Sequence, residues 1–284
     1  EMAERAVAMA RIAPEDPHIG LADPAQLATD ISADALDLLD VGSEPDPADL
    51  QATAKDAEDG ALALDGIDRV ISANAGFTRN DIHLSASNGF SGGYGRTSHY
   101  ISTVALIGTG TGMERDYHSD SRTHHADLAD AAEIGRIAGE RTLERASPRK
   151  ARTGTWPVLY DERIASGLIG HLVQAANGAM VARGSSWLRE RLGEQVLPTG
   201  LTLTENPHRA RVFASRPFDG EGLPTAERNI VEDGILQGWT LDLANARKLG
   251  MNSTANARSG KNAGPRKLRM TATSSASVGM VTMQ

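Results

Sequence analysis

Apolar residues change rhythm along the chain, and each change predicts an element. Through Ala10 the repeat of Ala and Met is helical. His18 to Leu27 carries Gly20 and Pro24 and predicts a loop. Ile31, Leu36 and Leu39 are spaced for a short helix. Pro45 and Pro47 then break the chain, and Asp49 or a neighbour caps a helix over Leu50 to Ala63. From Arg69 the period falls to two. Ile82, Leu84 and Ala86 alternate with His83, Ser85 and Ser87 and run into Asn88-Gly89. That dipeptide between alternating runs signals a hairpin whose two central residues both take positive φ. The partner run passes through Phe90 and, beyond Gly92, Gly93 and Gly95, continues from Tyr100 to Ile107. With a third strand from Gly112 to His118, this region predicts a β-meander.

Helical spacing returns over Ala126 to Ala146. Leu128, Ala131, Ala132, Gly135, Ala138, Gly139, Thr142, Leu143 and Ala146 share one face, while Glu133, Arg136, Glu140 and Glu144 share the other. A face of small residues predicts a neighbour packed very close. Pro148 ends the helix, and the polar run from Ser147 to Arg152 is the expected domain boundary. Beyond it, Trp156 to Tyr160 predicts a strand and Ile164 to Met180 a single buried helix. That helix keeps Gly167, Gly170 and Gly178, each costing about 1 kcal/mol relative to Ala. Leu201 to Thr204 and Arg211 to Ala214 alternate as strands, and Asn229 to Leu241 reads as a hairpin around Asp233-Gly234. Arg258 to Gln284 has no apolar period and is expected to be poorly ordered.

The predicted fold class is therefore α+β. Residues 1–150 form an N-terminal α/β domain with an antiparallel sheet, and 151–257 a β-rich C-terminal domain with one buried glycine-rich helix. Residues 258–284 are an aperiodic tail.

Composition sharpens this picture in three places. Aromatic residues are only 4% of 284 and glycines number 29, so close backbone approach has to replace bulky packing. The formal net charge of -8 disfavours direct contact with nucleic acid. The chain has no cysteine, which excludes disulfides, thiolate catalysis and Cys-ligated zinc. No secretory leader is visible at Glu1-Met2-Ala3-Glu4, so a cytoplasmic location is expected. Ile164 to Val181 is uncharged, but its Gly, Ser, His, Gln and Asn content predicts a buried segment and no membrane contact.

The chemistry-bearing residues give weak signals singly. His171 stands alone on the glycine-rich helix and reads first as a core histidine with a satisfied hydrogen bond. His118 lies near His124-His125 in sequence, but adjacent side chains point apart, which disfavours a shared metal. Asp219 and Glu221, in Phe218-Asp219-Gly220-Glu221-Gly222, could bind a cation or do acid–base work; an exposed acidic turn is the simpler expectation. Ser185-Ser186 lacks the setting of a nucleophile. Gly108 to Gly112 resembles a phosphate loop only in composition. Lys261, Arg266, Lys267 and Arg269 make a basic tail that is expected to be solvated.

A longer pattern decides between these readings. Met113-Glu114-Arg115-Asp116-Tyr117, Ser147-Pro148-Arg149-Lys150 and Pro157-Val158-Leu159-Tyr160 occur in order, followed by Ala165-Ser166-Gly167-Leu168-Ile169-Gly170-His171-Leu172. Pro217-Phe218-Asp219-Gly220-Glu221-Gly222, Asp233-Gly234-Ile235-Leu236 and Ala246-Arg247-Lys248-Leu249-Gly250 come next. Together these segments resemble the TldD/PmbA metalloprotease family (also described as modulators of DNA gyrase), in its PmbA/TldE branch, and the resemblance covers roughly Glu1 to Ala257. The TldD branch carries an HExxxH zinc motif on the matching helix. Carried over, Ser166 stands for the first His and Gly167 for the Glu, and only His171 matches.

The resemblance thus implies no catalytic residue and no cofactor in this chain, with zinc in a TldD-type HExxxH partner. The pair would form a heterodimer that degrades or trims small unfolded peptides, with Asp219 and Glu221 as chamber or turn residues. The alternatives are a stand-alone peptide-binding module and a role in DNA gyrase modulation. Family members also extend beyond both ends of the matched region, so the first domain is expected to lack its start. The second is expected to be incomplete, with a tail that reads as truncated or shifted in frame.

Overall fold

We describe the protein from a computed structural model that places residues 1–42, 44–257 and 268–272. Helix α1 (Met2–Ile12) buries none of its residues. The short helix expected around Ile31 to Leu39 is only a 3-10 turn, Asp34–Leu36, closed by Asp37 in the left-handed region at φ 45°. Helix α2 (Pro47–Leu62) begins earlier than expected because Asp46, not Asp49, is the cap. Its Oδ1 accepts the Ala48 N–H at 2.8 Å, and Pro47 sits where a missing N–H costs nothing.

The meander is present. Strands β1 (Arg69–Ser85), β2 (Ser91–Ile107) and β3 (Glu114–Arg122) form an antiparallel sheet in the order β1-β2-β3. Register runs from Arg69↔Leu106 to Ser85↔Ser91 and from His99↔Arg122 to Ile107↔Glu114. The glycines of β2 do not interrupt it: a Cβ at Gly93 would lie 2.6 Å from the Ile82 carbonyl oxygen, so its absence permits the close pairing. The connecting turn differs from expectation. Ser87 and Asn88 are its central residues, the Gly89 N–H reaches the Ala86 carbonyl, and Gly89 alone has positive φ, at 97°. Asn88 is drawn off by other partners: its Nδ2 donates to the Ala22 carbonyl and its Oδ1 accepts the Phe90 N–H.

Helix α3 (Ala131–Glu144) starts later than expected, at the Asp130 cap, after a 3-10 turn over His125–Asp127. It lies against α2 with backbones nearly touching. A Cβ at Gly135 would meet the Ala57 carbonyl oxygen at 1.9 Å, and one at Gly60 the Ala132 carbonyl at 2.2 Å. Ala57 and Ile134 pack on Ile101 of β2, so the helix pair covers one face of the sheet.

Residues 146–161 contain no helix or strand, which corrects the strand expected over Trp156 to Tyr160. The single helix expected over Ile164 to Met180 is two, α4 (Glu162–Ala175) and α5 (Gly178–Ala182). The break falls at Asn177, whose side chain accepts the Ala179 and Met180 N–H groups as a new cap. Strands β4 (Leu201–Glu205), β5 (Arg228–Glu232) and β6 (Ile235–Leu236) follow, then helix α6 (Leu243–Leu249). Strand β7 (Leu268–Ala272) returns to pair antiparallel with β4, giving the order β6-β5-β4-β7. The tail therefore holds a strand; the rest of it, Lys261, Arg266 and Lys267 included, lies outside the described residues. Arg269 sits in β7 opposite Thr204.

Asp233 and Gly234 both take positive φ, at 47° and 83°, as the predicted tight turn requires. Arg211 to Ala214 is not a strand: Arg211 has φ 56°, and its guanidinium pairs with Asp37 and Asp127. The core of this half joins Leu172, Val181, Leu188, Leu203, Ile230 and Leu241. Burying each such side chain contributes roughly 1.5–3 kcal/mol. A second cluster, Phe90 with Phe218, joins the meander to the later half, their rings 5.0 Å apart and tilted at 67°. Among the described residues the architecture is mixed helix and sheet with two antiparallel sheets, in keeping with the α+β expectation. Among the described residues no helix is long and apolar enough to cross a membrane.

Candidate functional site

Helix α4 begins at a firm anchor. Asp161 caps it by accepting the Arg163 N–H at 2.9 Å. Arg163 then reaches back to the meander and donates to Asp116 of β3 at 3.0 Å. Asp116 also takes Arg145, just beyond α3, at 2.7 Å, and the Tyr117 N–H at 2.7 Å. Burial pushes the Asp116 carboxyl up, but Arg145, the Tyr117 amide and Arg163 outweigh it and hold it at about 2. One buried carboxylate therefore joins β3, the end of α3 and the start of α4.

From that anchor α4 buries only part of its surface. Leu172 and Ala175 enter the core, with Ile169 and Val173 half-buried beside them. The opposite stripe, Ile164, Gly167, Leu168 and His171, is exposed, and so is Ser166. A Cβ at Gly167 or Gly170 would meet nothing within 4 Å. This corrects the expectation of a buried glycine-rich helix and of a core histidine at His171. The absence of charge between Ile164 and Val181 therefore covers two surfaces, a buried one through Leu172, Ala175, Ala176 and Val181 and an uncharged outer one through Ile164, Leu168 and His171. The connection leading into α4 is apolar and exposed as well, with Trp156 and Val158 each more than half exposed and Leu159 at 97%.

The donor set on this face does not fit a zinc ion. Gly167, one turn before His171, has no side chain, and Ser166 offers only a hydroxyl. Among the described residues no group of three or more His, Asp or Glu side chains could hold a metal ion. A catalytic zinc site needs three protein ligands and a general base.

Asp219 and Glu221 are placed by α6 and by the segment that precedes β5, and neither is an exposed turn residue. Asp219 is 3% exposed. Its Oδ1 accepts the Glu221 and Leu223 N–H groups at 2.9 and 3.0 Å, and its Oδ2 the Ala257 N–H at 3.0 Å. Burial raises its pKa against those three bonds. Glu221 is half-buried and accepts the Leu243 N–H at the start of α6 at 2.9 Å. Burial, with the nearby Asp219 and Asp242 charges, pushes it up to about 7 despite the Leu243 bond. Both carboxylates hold backbone N–H groups, and among the described residues neither belongs to a group of three or more side chains that could hold a metal ion.

The remaining candidates resolve into structural partners. The His118 Nδ1 meets the Arg141 guanidinium at 2.8 Å, a cation that occupies that nitrogen and would repel a metal ion there. His124 contacts the Asp37 carbonyl at 2.9 Å, and the His125 N–H donates to Asp40 at 2.9 Å. Asp40 also lies 3.2 Å from buried His99, a grouping across 59 positions that local spacing does not reveal. Burial lowers the His99 pKa. The Ser186 hydroxyl is buried and donates to the Ala175 carbonyl, and Ser185 donates to Met180, so neither is poised as a nucleophile. At Gly108 the backbone N–H that a phosphate would need already donates to Asp68 at 2.6 Å.

Comparison with known proteins places this architecture. Residues 41–146 match the PmbA/TldA metallopeptidase central domain and residues 153–280 the PmbA/TldA metallopeptidase C-terminal domain. The Metalloprotease PmbA of Escherichia coli O157:H7 is 38% identical over 257 residues, covering 89% of this chain and 56% of the relative. The chain thus spans about half the length of the curated relatives it matches. A solved structure from Bacteroides thetaiotaomicron, of a candidate modulator of DNA gyrase, is 27% identical with a TM-score of 0.81, over 95% of this chain and 60% of that one. TldE from Thermococcus kodakarensis shares the fold at 20% identity and a TM-score of 0.73, over 94% of this chain and 61% of its own.

Proposed function

We propose that this chain, which belongs to the PmbA/TldD metallopeptidase family, acts as the non-catalytic TldE-like subunit of a cytoplasmic TldD-type metalloprotease. Its HExxxH partner holds the zinc, and the complex degrades or trims small unfolded peptides. The observation that carries this reading is the exposed face of α4. The helix that would bear the zinc motif keeps His171 but has Ser166 and Gly167 in place of the other ligand and the base. Water activation then has no agent on this helix. The open apolar stripe of Ile164 and Leu168, with Trp156 and Leu159 beside it in sequence, supports contact with a partner or an unfolded peptide.

The test compares the purified chain alone with a mixture of the chain and an HExxxH relative. Zinc content and cleavage of an unstructured peptide are measured in each. Zinc and cleavage confined to the mixture, and exceeding those of the relative alone, are expected. Stoichiometric zinc and cleavage by the chain alone would overturn the proposal.

A further inference from the structure

The meander and the later half enclose a cleft of about 210 Å³ that is separate from the α4 face. One wall is the β1–β2 hairpin, which contributes Ile82, Leu84, Tyr94 and Arg96; the other is the segment Arg216 to Gly220 with Ala257. Its volume is below the roughly 300–1,000 Å³ that encloses a whole drug-sized ligand, so it suits one end of a molecule about the size of an amino-acid residue. The apolar part of the lining is aliphatic and aromatic, with the Tyr94 and Phe218 rings edge to face at 5.5 Å.

The charged part of the lining runs against the chain as a whole. Arg96 and Arg216 stand against Asp219 in a protein of net -8. Arg216 lies 3.8 Å from the buried Glu205 carboxylate as well, which leaves Arg96 as the lining cation with no carboxylate beside it among the described residues. Asp219 is already engaged by three backbone N–H groups. The Arg216 side chain is 7% exposed and its Nη2 donates to the Ala255 carbonyl at 3.3 Å. Arg96 donates through Nη1 to the Phe213 carbonyl at 3.0 Å and lies over the Phe213 ring at 4.6 Å. No carboxylate pairs with Arg96 among the described residues, and its Nε is buried without a hydrogen-bond partner. A buried guanidinium N–H with no acceptor is costly unless a ligand supplies one.

We infer that this cleft binds a carboxylate carried on a single apolar group, as at the C-terminus of a peptide or in a free amphipathic acid, with Arg96 taking the carboxylate. One guanidinium without a carboxylate partner favours such a monoanion over a phosphate dianion. The apolar wall selects the body of the ligand and the guanidinium its end. The site lies in this chain alone, so its test needs no partner subunit and stands or falls apart from the proposed role.

Titration calorimetry of the full chain with N-acetyl-alanyl-leucine and with its C-terminal amide tests the inference. The acid is expected to bind at least about tenfold tighter, the effect of one charge-assisted hydrogen bond. Equal affinities would overturn the site without recourse to any variant. Arg96→Met should weaken the acid by about tenfold to a hundredfold and abolish the acid–amide difference, with Arg96→Lys recovering part. Undiminished binding by a folded Arg96→Met would also overturn it. N-acetyl-leucine separates the sources: affinity equal to that of the dipeptide assigns the site to any small acid, and weaker binding assigns it to peptide ends. Displacement of the dipeptide by inorganic phosphate at lower concentration than by N-acetyl-leucine would count against the inference.

Discussion

Helices α3 and α4 are both 14 residues long and both carry two interior glycines, yet the two pairs have opposite surroundings. In α3, Gly135 sits where a Cβ would be 1.9 Å from the Ala57 carbonyl oxygen, and at Gly139 it would be 2.6 Å from a Leu64 methyl. In α4, Gly167 and Gly170 face open space. A helical glycine costs about 1 kcal/mol relative to alanine in either place. Only in α3 do described residues show a contact that offsets the cost: two helix backbones approach as no side chain would allow. The difference teaches that glycine in a helix marks close approach only when the neighbour lies within the chain. At Gly167 and Gly170 the face of α4 meets none of the described residues, as the proposed contact with a partner subunit or a peptide would require.

Filling the closed site should produce the largest effect. Gly135→Ala places a methyl against backbone, which cannot turn aside as a flexible side chain does. It should destabilise the protein by about 3 kcal/mol, the upper part of the range for overpacking. Urea denaturation would show a lower midpoint with an unchanged slope. A loss below about 1 kcal/mol would mean that α2 and α3 separate easily, and the contrast with α4 would collapse.

The next effect concerns the joint between the two regions. Asp116→Asn removes the carboxylate shared by Arg145 and Arg163 and should cost about 1–2 kcal/mol at pH 7, allowing for the partial exposure of both arginines. The sign with pH follows from a folded pKa of about 2, below the ordinary 3.8. The native carboxylate gives up its proton more readily than the unfolded one, so its stabilisation is complete above about pH 4 and fades as pH falls towards 2. The stability gap between wild type and Asp116→Asn should therefore close over that window in acid titrations monitored by circular dichroism. A gap that persists at pH 2 would assign the loss to packing and not to charge.

What was legible in the sequence follows from how local each cause is. The alternation through Ile82, Leu84 and Ala86 predicted a hairpin because side chains one residue apart face opposite sides of a strand. The small face of Ala131, Gly135 and Ala138 predicted a close neighbour, although not that the neighbour is α2. Asp233-Gly234 adopts the expected turn, whereas Asn88-Gly89 does not, since Asn88 is held by a carbonyl 66 positions away at Ala22. The burial of Asp219 is equally remote in origin: the Ala257 N–H that completes its shell lies 38 residues on. The grouping of Asp40 with His99 depends on how the loop before α2 lies on β2. On the candidate face, the sequence identified the positions Ser166, Gly167 and His171 but misjudged their burial. An uncharged stretch is compatible with a core and with an apolar outer surface, and hydropathy alone does not separate them.

The smallest effect has the opposite sign to the first and tests the comparison most directly. Gly167→Ala adds a methyl to open space on α4 and gains helix propensity, so the purified chain should become more stable by about 0.5–1 kcal/mol. The same substitution type, glycine to alanine in a helix of the same length, would then stabilise one helix and destabilise the other. That reversal follows from surroundings alone, since intrinsic propensity predicts a gain in both. If the open face receives an HExxxH partner or a peptide, the gain should vanish or reverse in the complex, because the added methyl then meets the bound surface. Thermal unfolding of the variant, with and without the partner, measures both terms. A destabilised variant in the absence of any partner would show that α4 packs against part of the chain itself, and the outward reading of this helix would have to be abandoned.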